Sequence, residues 1–354
     1  MPVKTNGRSS LWQEYNNWHK KNKMKKTLEK LYNHETLKRA ETHQLMLEIA
    51  QGKYNDASLA SFLTVFRMRP ILPDELMGFR DGLLELAKPV DFGNVESIDI
   101  VGTGGDRKNT FNISTLSAVV VAGAGYKVTK HGSYSVSSAC GSSNVLEYLG
   151  YQFTNDNAVL NQQLDKANLC FLHAPVFHPA MKAVVPVRKA MAVKTFFNIL
   201  GPLVNPAQPK YNFFGVYDNS LGRLYQYVMQ ETERKFNIIY ALDGYDEISL
   251  TGKFKIFSER GEEVLEPNQI GLRQTNPEDL FGGDTVPEAA KIFVDILDGK
   301  GTPAQNEVIY ANAGLAIKLM NKDMTTENAI AQARESLESG RAYDTLKTIA
   351  HLPD

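Results

Sequence analysis

Residues 99–115 read DIVGTGGDRKNTFNIST, an apolar strand running into a glycine turn and then into polar, helix-opening residues. That order lets a main chain hold a phosphorylated ligand. Gly102, Gly104 and Gly105 can adopt positive φ and admit an anion close to the backbone. Asn112, Ser114 and Thr115 then open a helix whose free N–H groups carry partial positive charge. A second polar loop, KHGSYSVSSACGSS at 130–143, adds Lys130, His131 and a row of small hydroxyls. Two such loops after consecutive strands imply a ligand with phosphates at two places.

The general phosphate motifs do not account for this run. A Walker loop needs G-x-x-x-x-G-K-[ST], a spacing the chain lacks. A dinucleotide fingerprint needs a third glycine where Arg107 stands. A lone GTGG is more often a strand–turn–helix corner without a ligand. The length of the ordered run, and the loop after it, reverse that preference.

GTGGD followed by NIST, KHG and GSSNVLEYLG resembles the anthranilate phosphoribosyltransferases of tryptophan biosynthesis. The resemblance continues through FLHAPVFHPAMKAVVPVRKAM (171–191), KTFFNILGPLVNPA (194–207), LDGYDEISLTG (242–252) and NEVIYANAGLAIKL (306–319). It runs from about Met24 to the C-terminus. It implies transfer of the phosphoribosyl group of 5-phosphoribosyl 1-pyrophosphate (PRPP) to the amine of anthranilate, with release of pyrophosphate.

An oxocarbenium-like ribosyl centre and a charged leaving group call for cations and backbone donors rather than a nucleophile. Asp246 and Glu247 are then carboxylate ligands of Mg²⁺, which takes one or two carboxylates and completes its shell with water and phosphate. Ser114 resembles a hydroxyl ligand of the other metal, so two ions are expected with bound PRPP. Lys130, with Asp246 and Glu247, is the expected catalytic group, and it faces the phosphates. By the same resemblance PRPP meets Gly102, Gly105, Asp106, Thr110, Asn112, Ile113, Ser114, Thr115, Lys130, His131, Gly132, Ser137, Ser138 and Ser142. Anthranilate meets Gly102, Ser133, His178 and Arg188, the guanidinium suiting a planar carboxylate. His131 and His178 invite a general-base role, but an aniline nitrogen is already a free nucleophile at neutral pH. His178 reads better as a wall or helix-start contact.

Some positions depart from the family. Arg107 and Ala192 stand where glycine is common or frequent, Ser133 replaces the asparagine of KHGN, and Tyr134 replaces an arginine. Met191 and Lys194 stand where leucine and arginine are frequent. The phosphoribosyl and metal residues are intact, so the departures bear on the acceptor.

The elements that must position these residues read as α/β. From Met24 to about Val90 the apolar spacing is helical, with Gly52 as a stop, Asn55 or Asp56 as a cap and Pro73 as a helix start. From Ser97 the strands SIDIV, KVT, NLCFL, FFGVY and NIIYAL alternate with helical stretches, and helices return over 285–351. The expected organisation is a disordered extension over 1–23, a small all-helical domain over 24–93 joined by part of about 168–190, and a larger α/β domain over 94–354. That larger domain holds a central mixed sheet flanked by helices. The resemblance implies a ligand cleft between the two domains and a homodimer through the helical one.

The composition fits an enzyme of small molecules. The chain of 354 residues has 39 basic and 40 acidic side chains, a net charge of −1. That balance offers no polycation for nucleic acid and no single-sign field for a membrane. Cys140 and Cys170 do not make a disulfide framework, and a reducing cytoplasm is expected. A same-fold transferase or phosphorylase acting on a pyrimidine base is disfavoured by Arg188, since a nucleobase has no carboxylate. A non-catalytic nucleic-acid-binding relative is disfavoured by the intact acids and the neutral charge.

Overall fold

The structure, a computed structural model, describes residues 23–134 and 140–350. Its contacts divide the chain into two compact units, Met1–Leu86 with Pro179–Phe197, and Ala87–His178 with Asn198–Asp354. The extension over 1–23, apart from Lys23, and Ser137 and Ser138 lie outside the described residues.

The first unit is helical. Its helices include Arg39–Ala50, Asp56–Met68 and Pro73–Glu85. Asn55 caps the second, its side chain accepting the Ser58 N–H at 2.9 Å, and Pro73 opens the third. Gly78 and Gly82 let two helices touch: a Cβ at Gly78 would fall 1.9 Å from Thr42 Oγ1, and one at Gly82 2.8 Å from Met46 Cβ. Phe62, Phe66, Phe79 and Phe196 pack as a ring cluster, with Phe79 stacked on Phe196 at 4.4 Å. Glu75 is wholly buried beside them and accepts from Leu37 N, Leu72 N and the Arg69 guanidinium. The rejoining segment is Pro179–Phe197. Residues 168–178, part of the stretch expected to cross back, stay in the second unit because Leu169–His173 is a sheet strand.

The second unit is built on seven strands: β1 (Ile98–Gly102), β2 (Val128–Gly132), β3 (Leu169–His173), β4 (Tyr211–Gly215), β5 (Lys235–Ala241), β6 (Phe254–Ser258) and β7 (Gly261–Leu265). Their order is β3-β2-β1-β4-β5-β6-β7. β1 to β5 are parallel, and β6 and β7 add an antiparallel hairpin that makes the sheet mixed. The central strands are largely buried, as parallel strands between helices must be, and they carry Asp99, Lys130 and His131 into the interior along with their apolar residues. The helix Pro303–Met320 is buried over most of its length in the same core. Thr302, Thr285 and Thr325 cap the C-terminal helices through their side chains. No described helix is long and apolar enough to cross a membrane. The two cysteines are free, and Cys170 lies buried in β3.

The chain leaves β1 toward β2 on one side and reaches β4 on the other. The carboxyl ends of β1 and β4 therefore flank a topological switch point, where open α/β sheets bind ligands.

Replacing Glu75 with alanine would leave the buried Leu37 N–H and the Leu72 N–H without their carboxylate acceptor and the Arg69 guanidinium without its ion pair. We expect Glu75→Ala to cost about 3–5 kcal/mol, read as a lower urea midpoint.

Candidate active site at the carboxyl ends of the parallel strands

β1 and β4 end side by side, Gly102 registered with Gly215. Both glycines are there for space. A Cβ on Gly102 would sit 2.3 Å from Asp246 Oδ2, and one on Gly215 would sit 1.5 Å from the Asp246 carbonyl oxygen. Gly104 and Gly105 do use positive φ, at 64° and 79°. Gly102 does not, so its expected conformational role is corrected to a steric one.

Into that gap the loop after β5 delivers Asp246, whose Oδ2 accepts the Gly104 N–H at 2.6 Å. Asp106 and Glu247 join it, with one ligand oxygen of each acid within 4.8 Å of the others. Asp106 Oδ2 and Glu247 Oε2 are buried without a hydrogen-bond partner among the described residues. Burial, reinforced by Asp246, pushes the Asp106 carboxyl up to about 7. Burial also raises Asp246, and burial with both neighbouring acids holds Glu247 well above the carboxylate range. Crowded, underpartnered oxygen donors are the set a hard divalent cation takes. Ser114 and Gly102 line, with Asp246 and Glu247, a cavity of about 10 Å³ behind the cluster.

The first loop is braced from a distant segment that carries no motif of its own. Phe111 N donates to Leu280 O, Gly282 N to Asn109 O, and Asn109 Nδ2 to Gly283 O. Thr110 forms a bridge with Phe281. Ile113 and Thr115 are buried at the start of the next helix, Ile113–Gly123, and point to its packing. Asn112 stands at that helix's N-cap, but its side chain donates to Cys140 O at 3.4 Å instead of capping. Lys108 lies over the Tyr245 ring at 4.5 Å.

Beneath the loops lies a polar network. Lys130 is buried, and its Nζ donates to Ile100 O, so it does not present its ammonium on the surface. Burial lowers its pKa to about 8 against the pull of Asp99 and Glu247. Asp99, wholly buried and raised to about 6 by that burial, accepts from His131 N at 3.1 Å and from Asn205 Nδ2 at 2.8 Å. His131 bonds Gly201 O through Nδ1 at 3.1 Å, and burial drives its pKa down to about 3. His178 bonds Val204 O through Nε2 at 2.8 Å, its ring edge-on to His131 at 5.3 Å. Both imidazoles are buried and hydrogen-bonded to backbone carbonyls. Their spacing in the sequence carried no sign of Asp99 or Asn205, which the fold supplies.

Gly132 is held to glycine by Phe171 and by Ser142 Oγ, 2.6 Å from where a Cβ would be. Ser142 Oγ and Ser143 N both donate to Ser133 O, at 3.3 Å, leaving the Ser133 side chain exposed. Tyr134 bonds Glu147 at 3.0 Å and meets the His173 ring edge-on at 4.8 Å. Arg188 belongs to the helical unit, on the helix Val185–Met191, with its guanidinium 5.6 Å from the Phe197 ring centre.

The chain matches the a/b domain of the glycosyl transferase family over residues 94–343 and that family's helical bundle domain over residues 25–87. An anthranilate phosphoribosyltransferase of Cytophaga hutchinsonii is 55% identical over 92% of this chain and 99% of its own. The chain belongs to the anthranilate phosphoribosyltransferase family. The Thermus thermophilus anthranilate phosphoribosyltransferase is 31% identical, with a TM-score of 0.86 over 92% of this chain and 98% of that one. The Saccharomyces cerevisiae anthranilate phosphoribosyltransferase, solved in complex with PRPP and Mg, is 27% identical with a TM-score of 0.86 over 93% and 97% of the two chains.

His131 gives this family member a pH signature. Its folded pKa lies below the ordinary 6.5, so the folded protein binds fewer protons between about 3 and 6.5. Its neutral form thus supports the fold above 6.5, and that support is lost as pH falls. We expect the stability difference between the wild type and His131→Gln to shrink by about 1.4 kcal/mol per pH unit below 6, measured by urea unfolding at pH 7, 6 and 5.

Proposed function

We propose that Asp246, Glu247 and Asp106 form the metal-holding edge of a site where PRPP donates its phosphoribosyl group to anthranilate. The chain catalyses that transfer in tryptophan biosynthesis, giving N-(5-phosphoribosyl)anthranilate and pyrophosphate. The observation that carries the site reading is Asp246 set on Gly104 N–H beside two further, underpartnered acids.

In the reaction, the amine nitrogen forms a bond to C1 of the ribose. The C1–oxygen bond breaks, its electron pair leaves with pyrophosphate, and the aminium proton passes to solvent. Bound Mg²⁺ supplies positive charge against the pyrophosphate oxygens. Asp246 and Glu247 would hold it, Asp106 would add a further carboxylate, and Ser114 would offer a hydroxyl to a second ion. Gly102, Gly104 and Gly105 bring backbone close to the phosphates, while Thr110, Asn112 and the opening turn of Ile113–Gly123 add N–H and side-chain donors. Lys130, largely protonated at neutral pH, places a positive charge under the acids. His131, Gly132, Ser137, Ser138 and Ser142 are further contacts of PRPP in this reading. Arg188 binds the anthranilate carboxylate, Ser133 and Gly102 border the acceptor, and His178 holds its wall. A homodimer through the helical unit and a cytoplasmic setting complete the reading.

The decisive assay is product formation from PRPP and Mg²⁺, with anthranilate set against a panel of nucleobases. Turnover with anthranilate supports the reading, and preference for a nucleobase ends it. Converting both Asp246→Asn and Glu247→Gln should abolish turnover with the fold intact. Full activity of that double variant at ordinary Mg²⁺ would remove the metal assignment.

The acceptor side has its own test. Serine is shorter than the asparagine usual at position 133, and a lost hydrogen bond costs about 0.5–1.5 kcal/mol. Ser133→Asn should therefore lower the anthranilate KM by about tenfold at most, leaving the PRPP KM nearly unchanged. Arg188→Ala should raise the anthranilate KM by more than that gain, because it removes a charge-assisted bond.

A further inference from the structure

The acids at the site sit on a loop, yet a metal-holding pair must keep its geometry without the metal. Ile248, directly after Glu247, is wholly buried, and neither its N–H nor its C=O joins a strand. Both are met by one side chain. Asn312, in the middle of the buried helix Pro303–Met320, accepts the Ile248 N–H at Oδ1 at 3.0 Å and donates Nδ2 to Ile248 O at 2.9 Å. Its second Nδ2 proton goes to Val308 O at 2.8 Å, one turn earlier in its own helix. Both Nδ2 protons are thereby used, and the flipped amide would set Nδ2 against the Ile248 N–H and Oδ1 against two carbonyl oxygens. On the other side the Asp246 carbonyl is pressed against Gly215, where a Cβ would fall 1.5 Å away. Asn312 also lines the small cavity with Asp246, Glu247 and Ser114.

We infer that Asn312 is the positioning residue for the Asp246–Glu247 pair, clamping the peptide of Ile248 against the helix so that the two carboxylates stay aimed at the strand ends. This rests on the metal reading above. Only a carboxamide of this length serves. Aspartate lacks the donors, glutamine overshoots by a methylene, and alanine leaves both Ile248 backbone groups buried and unpaired. The helix keeps its own backbone ladder in each case, so the effect of substitution falls on the loop.

The test compares full-length Asn312→Ala and the milder Asn312→Ser with Ile317→Ala, a buried residue of the same helix outside the site. In metal-free protein, hydrogen exchange at Ile248 should quicken in both Asn312 variants and stay slow in Ile317→Ala. In the active enzyme, the Mg²⁺ concentration for half-maximal rate should rise about tenfold in Asn312→Ala, as the loss of roughly 1.4 kcal/mol of preorganisation requires. The anthranilate KM should stay level. The inference is overturned if exchange at Ile248 and the Mg²⁺ midpoint of the Asn312 variants both match Ile317→Ala. Failure of the metal reading has a separate sign, an unchanged Mg²⁺ response in the Asp246→Asn, Glu247→Gln protein.

Discussion

Three carboxylates with ligand oxygens within 4.8 Å of one another are the constraint to which the strand ends answer. Burial first, and then each acid's charge on the next, raises the cost of ionising them, which is why Asp106 is displaced to about 7 and Glu247 well above the carboxylate range. The fold opposes that cost with fixed charge and dipole. Gly104 N–H lies on Asp246, and the Lys130 ammonium acts on Glu247 from below. The compensation is partial, and two acid oxygens remain without a hydrogen-bond partner among the described residues. An arrangement left short of positive charge is one that a cation would stabilise, which is the physical ground for the proposed metal role of these acids.

Holding such a cluster demands backbone in close contact, and side chains would forbid it. The switch point between β1 and β4 supplies two strand ends in register, and glycine at both lets the Asp246 loop lie against them. The loop that carries Asp106 is held from outside by residues 280–283, and the second loop by the Ser142 and Ser143 donors on Ser133 O. Each loop therefore borrows its rigidity from residues beyond its own turn. Local propensity alone would leave both adaptable.

That division explains what the sequence could tell. β1 to β5 were legible because short runs rich in β-branched and aromatic residues alternate with helical stretches, and the caps at Asn55 and Pro73 were legible because capping is local. The β6–β7 hairpin was not read: Lys255 interrupts one strand, and Glu262 and Glu263 face solvent on the other. Asp246 and Glu247 announced themselves by adjacency, whereas the place of Asp106 beside them depends on a contact between distant parts of the chain. Asp99 with Asn205, and Asn312 with Ile248, are likewise long-range pairs. A lysine in KHG looks surface-bound in sequence, and only the parallel sheet shows that its strand position is an interior one.

Two of the departures from the family pattern acquire a common physical meaning from the backbone. Arg107 has φ 64° and Ala192 φ 52°, both in the left-handed region, at the two positions where the family resemblance leads one to expect glycine. For a residue with a Cβ that conformation costs roughly 1–2 kcal/mol. Ala192 closes the helix that carries Arg188, and Arg107 comes directly after Asp106 in the first loop. Residues with a Cβ thus occupy turns that glycine suits best, which requires the surroundings to impose the backbone path. For Arg107 those surroundings are visible: the Asp106 side chain accepts the Lys108 N–H at 3.0 Å across the turn, and residues 280–283 fix the chain from Asn109 to Phe111. The left-handed turn brings the Asp106 carboxyl back toward Lys108 N and Asp246, so the strain at Arg107 is spent on placing the third acid of the cluster.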